Sequence, residues 1–160
     1  MKRETHSPTY AEEANLLDLG HSIVAGLDEV GRGPLAGPVV AGVVILPHYP
    51  SGKWLELIRD SKQLTSNQRT EANKHIRDKA IAFELGSVSS YEIDKIGIVR
   101  ATQLAMRRAI DSLVISPQYL LVDAINIPDI DTPQKAIIKG DALCYSIAAA
   151  SIIAKVNRDK

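Results

Sequence analysis

The chain has 160 residues, enough for one domain with a sizeable core, and its 45% hydrophobic, 24% charged composition is that of an ordinary globular protein. Its 19 basic and 19 acidic residues cancel, so no global positive field points to nucleic acid, and any such role needs cations gathered locally. One cysteine, Cys144, excludes an internal disulfide, no apolar run approaches the ~18 residues of a membrane span, and no apolar stretch follows the N-terminal basic pair; a cytoplasmic protein without membrane contact is the expectation.

Residues 1–22 read as a polar lead-in holding a short helix over 10–19, stopped at Gly20. The apolar runs 23–27 and 39–46 read as two strands joined by a loop dense in glycine and proline, with Asp28 and Glu29 where the first strand gives out. Residues 47–52 form a turn cluster, and Trp54 anchors the short segment that leads to Asp60-Ser61-Lys62-Gln63-Leu64. Thr65-Ser66-Asn67-Gln68 has the form of a capping box and opens a helix with Ala72, Ile76 and Ala80 along one face. A third strand is expected over 81–88, and Ser89 or Ser90 caps a short helix around 91–95. Apolar residues at 98, 101, 104, 105, 109 and 113 predict a helix over 98–115 with Arg100, Arg107 and Arg108 off its stripe as solvated cations. Residues 119–122 read as a buried strand ending in Asp123, 136–139 as a short strand, and 142–156 as an alanine-rich helix suited to close packing on a sheet. Hairpin strands followed by alternating helices and strands imply an α/β fold, a mixed sheet with helices on it, in a single domain over 1–160.

The chemistry concentrates after the first strand. Neighbouring residues of a regular strand point to opposite faces, so Asp28 and Glu29 share one site only if the backbone bends there. Gly31 and Gly33 allow a bend and a close approach to the main chain, and Arg32 between them adds a fixed positive charge. Acid for metal, exposed N–H groups and a cation together suit a phosphodiester, although an acidic pair before a glycine-rich turn also suits plain solvation. The near-match to a dinucleotide fingerprint, Gly31-x-Gly33-x-x-Ala36, lacks the helix that motif requires; Pro34, Pro38 and Val39-Val40 lead into a strand instead. Three more acids stand at element boundaries: Asp123 at a strand end, Asp141 as a good N-cap of the last helix, and Asp159 at its close. Each also has an ordinary structural reading. The four histidines fall in unconnected contexts and form no hydrolytic triad.

The run Asp28-Glu29-Val30-Gly31-Arg32-Gly33-Pro34-Leu35-Ala36-Gly37-Pro38-Val39 closely resembles the opening motif of type 2 ribonuclease H, or ribonuclease HII. Asp60-Ser61-Lys62-Gln63-Leu64, Val122-Asp123-Ala124 and Lys139-Gly140-Asp141, with Ser146 to Asp159, are similar to its later motifs in the right order, so the likeness extends from about Ala25 to the last residue. The resemblance implies a ribonuclease H-like fold and four catalytic, metal-holding acids at Asp28, Glu29, Asp123 and Asp141. It implies Mg²⁺ or Mn²⁺ in a two-metal mechanism, which oxygen-only ligation without a Cys/His cluster suits. The expected substrate is an RNA/DNA hybrid or duplex DNA with embedded ribonucleotides, cut on the 5′ side to leave 3′-hydroxyl and 5′-phosphate ends. Gly31, Arg32 and Gly33 match the loop that reads the 2′-hydroxyl, the group that separates RNA from DNA. Lys62 matches a phosphate contact, with Lys155, Arg158 and Asp159 in a second tier. Family members usually continue past this point with helices carrying a tyrosine that packs on the sugar, and no position here matches it. The expectation is therefore a monomeric nuclease short of that extension, with a weakly active or inactive hybrid-binding remnant as the alternative.

Overall fold

A computed structural model of the chain describes residues 7–31 and 37–160. The two most apolar runs become its centre. Strands β1 (Val24–Val30) and β2 (Val39–Ile45) form an antiparallel pair, and every residue of β2 is buried. Strand β3 (Ala82–Val88) adds antiparallel to β2, while β4 (Tyr119–Asp123) and β5 (Gln134–Ile137) add in parallel on the far side of β1. The order is β3-β2-β1-β4-β5, a mixed sheet as the element pattern implies.

Helices cover both faces because the side chains of β1 and β2 alternate between them. Ala25, Leu27, Val39, Ala41 and Val43 pack with Ala101, Ala105, Met106 and Ala109 of α4 (Ile98–Ser112). On the other face, Val44 joins Ala72 and Ile76 of α2 (Ser66–Lys79) and Ala148, Ala149, Ile152 and Ile153 of α6 (Tyr145–Arg158). The small residues of α6 bring its backbone onto the sheet: a Cβ at Gly26 would stand 2.2 Å from the Ser146 carbonyl carbon, and one at Gly42 would stand 2.4 Å from the Ala150 oxygen. Only glycine fits at either place. Helix α1 (Ala11–Asp18), α3 (Ser90–Ile96) and the single turn α5 (Gly140–Leu143) complete the set.

Local signals translate directly at the helix starts. Thr65 and Gln68 form the expected capping box, and Ser89 forms a second one with Glu92. Several boundaries differ from the sequence expectation, each for a visible reason. Strand β1 continues three residues beyond Leu27 because β2 goes on pairing with it, through Asp28 with Gly42, Glu29 with Ala41 and Val30 with Val40. Strand β5 lies two residues earlier, since Lys139 has a left-handed backbone at φ 56° that ends any extended run. The last helix is broken: Cys144 is extended, and Thr9 lies beside it, accepting from Tyr145 N–H at 3.1 Å and donating to the Leu143 carbonyl at 3.0 Å. These bonds replace those that would carry α5 into α6. Arg108 is also no free cation, because it forms a two-pronged pair with Glu92 at 2.8 and 3.2 Å.

Candidate active site

Strand β1 outlasts its parallel neighbour, and that difference creates the site. The last ladder pair between β1 and β4 joins Leu27 to Val122, so Asp28 and Asp123 come next on the two strands, where the ladder opens. No bend precedes Glu29, which sits inside the strand; the positive φ of Gly31, 102°, comes two residues later. With β4 ended, the flank of β1 is open and the longer Glu29 side chain is not walled off from its neighbour. Carboxylate oxygens of Asp28, Glu29 and Asp123 lie within 4.8 Å of one another.

Asp123 and Asp28 are each held through one carboxylate oxygen. Asp123 Oδ1 accepts from Gly140 N–H at 2.7 Å and so ties β4 to α5. Asp28 Oδ1 in turn accepts from Glu29 N–H at 2.7 Å. Asp141 is buried on the first turn of α5 and lines the same cleft, outside the tight trio. It is not an N-cap, because the left-handed Lys139 takes that position. Its carboxylate stands 4.0 Å from Lys62 Nζ.

Burial and crowding set the electrostatics. Asp28 is pushed well above the usual carboxylate range, first by burial and then by the negative charges of Asp123, Glu29 and Asp141, with the Glu29 N–H opposing. Asp141 is raised to about 6 by burial, by Asp60 and by Asp123, against the pull of Lys62. Gathered carboxylates that resist ionisation in one another's company form an oxygen-only set waiting for positive charge. They fit hard divalent ions such as Mg²⁺ or Mn²⁺ and offer nothing to a soft metal.

The cleft around them, of about 570 Å³, also answers the neutral net charge: Lys62, Arg69, Lys139, Lys155 and Arg158 all line it. Lys62 lies in the cleft of the acids, and so do Lys155 and Arg158 at the end of α6. Arg158 Nε donates to the Pro38 carbonyl at 3.0 Å and packs where Gly31 leaves room, since a Cβ there would meet Arg158 Nε at 2.6 Å. Asp159 turns away; it pairs with Lys155 at 3.2 Å and lines a separate groove between α2 and α6. Arg32 and Gly33 lie outside the described residues. Sequence reasoning passed over Asp60, which faces Asp141 and accepts from Lys62 N–H at 3.0 Å, and Arg69, which has no local signal beyond its place on the first turns of α2. Asp60 opens the Asp60-Ser61-Lys62-Gln63-Leu64 motif, where nothing in the sequence sets it beside Asp141.

A five-stranded sheet of this order, with helices on both faces and carboxylates gathered where the β1–β4 ladder opens, defines a ribonuclease H-type phosphodiester hydrolase. A sequence model described as ribonuclease HII matches residues 25–160. A ribonuclease HII of Dehalococcoides mccartyi is 54% identical over 153 residues, covering 96% of this chain and 72% of that relative. The crystal structure of ribonuclease H2 from Pyrococcus horikoshii superposes with a TM-score of 0.73 at 33% identity, over 86% of this chain and 72% of that one. Bst-RNase HIII in complex with Mn²⁺, at 22% identity and a TM-score of 0.69 over 89% of this chain and 53% of that one, shares the fold. The chain belongs to the ribonuclease HII family, a family of endonucleases.

Proposed function

We propose that the protein is a Mg²⁺- or Mn²⁺-dependent endonuclease that hydrolyses the RNA strand of RNA/DNA hybrids and cuts 5′ of ribonucleotides embedded in duplex DNA, leaving 3′-hydroxyl and 5′-phosphate ends. The convergence of Asp28, Glu29 and Asp123 within 4.8 Å, with Asp141 in the same cleft, carries this reading. These four acids would hold a pair of divalent ions, which when bound would supply the charge to activate water and to stabilise the departing oxygen.

The chain's own residues do the rest. Asp123, anchored by Gly140, and Asp28, anchored by the Glu29 N–H, present fixed oxygens that need no reorganisation when charge develops. Lys62 at the mouth of the cleft meets the substrate phosphate, with Lys155 and Arg158 as further cations along α6. The main chain at Gly31, with Arg32 and Gly33 after it, reads the 2′-hydroxyl. The site faces nucleic acid in the cytoplasm as a monomer; among the described residues no helix is long and apolar enough to cross a membrane.

The test is cleavage of a duplex with a single ribonucleotide by the purified protein in Mg²⁺ or Mn²⁺, beside Asp28→Asn. Cutting 5′ of the ribonucleotide by the parent, and none by the variant, supports the proposal. Binding without cutting by the parent overturns it in favour of a hybrid-binding remnant.

A further inference from the structure

Lys62 needs help to stay where it is. Its side chain is 83% exposed and stands 4.0 Å from Asp141, a contact too open to fix a flexible four-carbon stem. Its position must therefore come from the backbone, a single 3₁₀ turn over Ser61–Gln63 with no helix of its own to stiffen it. Three side-chain anchors hold that turn. Asp60 accepts from Lys62 N–H at 3.0 Å, and the buried Ser61 hydroxyl meets that of Ser151 on α6 at 3.1 Å. The third comes from Arg69 on α2, whose Nη1 donates to the Ser61 carbonyl at 3.1 Å and to the Leu64 carbonyl at 2.7 Å. Those two carbonyls bracket Lys62.

We propose that Arg69 is a positioning residue for cleavage: by bridging the carbonyls of Ser61 and Leu64 it fixes the turn that presents Lys62 to the substrate phosphate. The geometry explains why an arginine is wanted there. One guanidinium nitrogen carries two hydrogens in a fixed plane and can bridge two acceptors at once, whereas a flexible ammonium does not hold them in a set relation. The capping box that starts α2 at Thr65 lies directly between the clamped turn and Arg69, so the arginine springs from a rigid base. Arg69 also lines the cleft, which leaves a rival role as a direct phosphate contact. The proposal rests on the reading of Lys62 as the phosphate-binding lysine, and the experiment separates the two.

The measurement is KM and kcat on the ribonucleotide-containing duplex in Mg²⁺, at several salt concentrations, for the parent, Lys62→Ala, Arg69→Ala and the double variant. Lys62→Ala is expected to raise KM about tenfold, the order of one charge-assisted bond to phosphate, and to reduce the salt slope by about one counterion. Arg69→Ala should shift KM and slope in the same way, with the larger part of the effect in KM. The double variant should behave as Lys62→Ala alone, because a positioning residue has nothing left to position. Additive losses in the double variant, with the slope reduced by about two, would show Arg69 touching the nucleic acid itself and overturn the proposal. So would an Arg69→Ala protein that melts lower yet binds substrate as the parent does. If Lys62→Ala changes neither KM nor slope, the reading of Lys62 fails and the inference falls with it. Arg69→Lys, which keeps the charge but not the planar bridge, serves where alanine does not fold, and its KM should lie between those of the parent and Lys62→Ala.

Discussion

Asp28 and Glu13 are both buried acids, and they make opposite predictions. Asp28 sits among three other carboxylates, so its charge is useful only when cations arrive; Asp28→Asn keeps the shape, removes the charge and should lower cleavage about a hundredfold or more, measured by single-turnover cutting. Glu13 lies outside the cleft of the four acids. It reaches from α1 to accept from Ser146 N–H at 3.2 Å near the start of α6, and burial raises it above its usual 4.5. A carboxyl raised in the folded state is protonated there while the unfolded chain is already ionised. Stability is therefore lost as pH rises from about 4.5 through the folded value, and the cost persists above it. Glu13→Gln should flatten that part of the profile, and urea unfolding of both proteins at about pH 5 and about pH 7 checks it; an unchanged difference between the two pH values would refute the assignment. Little of this was visible in the sequence, where Glu13 is one more acid in a polar lead-in. Asp28 and Asp123 stand out at the ends of apolar runs and take their roles from the resemblance to ribonuclease HII, whereas the contacts of Asp60 with Asp141 and of Arg69 with two backbone carbonyls join elements that no local pattern links.

At the scale of elements, local patterns had most to say where the backbone decides locally. The Thr65 cap was readable because its partner lies three residues away, and Thr65→Ala should cost about 1 kcal/mol in denaturant unfolding. Ends set by distant partners were not readable. Nothing near Cys144 announces that Thr9 will lie against it and break the helix, and nothing near Leu27 says that β2 will carry β1 onward to Val30. Close approach of α6 to the sheet was hinted at by its alanines, but the matching glycines at 26 and 42 gain meaning only once the helix is in place. Gly26→Ala and Gly42→Ala should each destabilise by about 3 kcal/mol or fail to fold, because the contacts are with backbone that cannot rotate away. Thermal melts of the two variants test this, and a melt like the parent's would mean that α6 sits further from the sheet.

For the whole molecule, the acidic cluster is a cost that binding relieves. Divalent ions that bind the folded chain and not the unfolded one stabilise it by mass action, about 2.7 kcal/mol at a hundredfold excess over Kd. Adding Mg²⁺ should therefore raise Tm in the parent and much less in Asp28→Asn, and the gain should shrink below about pH 6, where Asp141 takes up a proton instead. A parent Tm indifferent to Mg²⁺ would argue against a preformed site. The order in which these parts are made has its own consequence. The first acids are synthesised early, on the hairpin of β1 and β2, but Asp123 and Gly140 come later and the helix that seals Gly26 comes after both. A polypeptide whose α6 has not yet packed thus already carries the four acids but leaves Gly26 and Gly42 of the hairpin uncovered. Cleavage of nucleic acid is therefore expected only after α6 has packed against that hairpin.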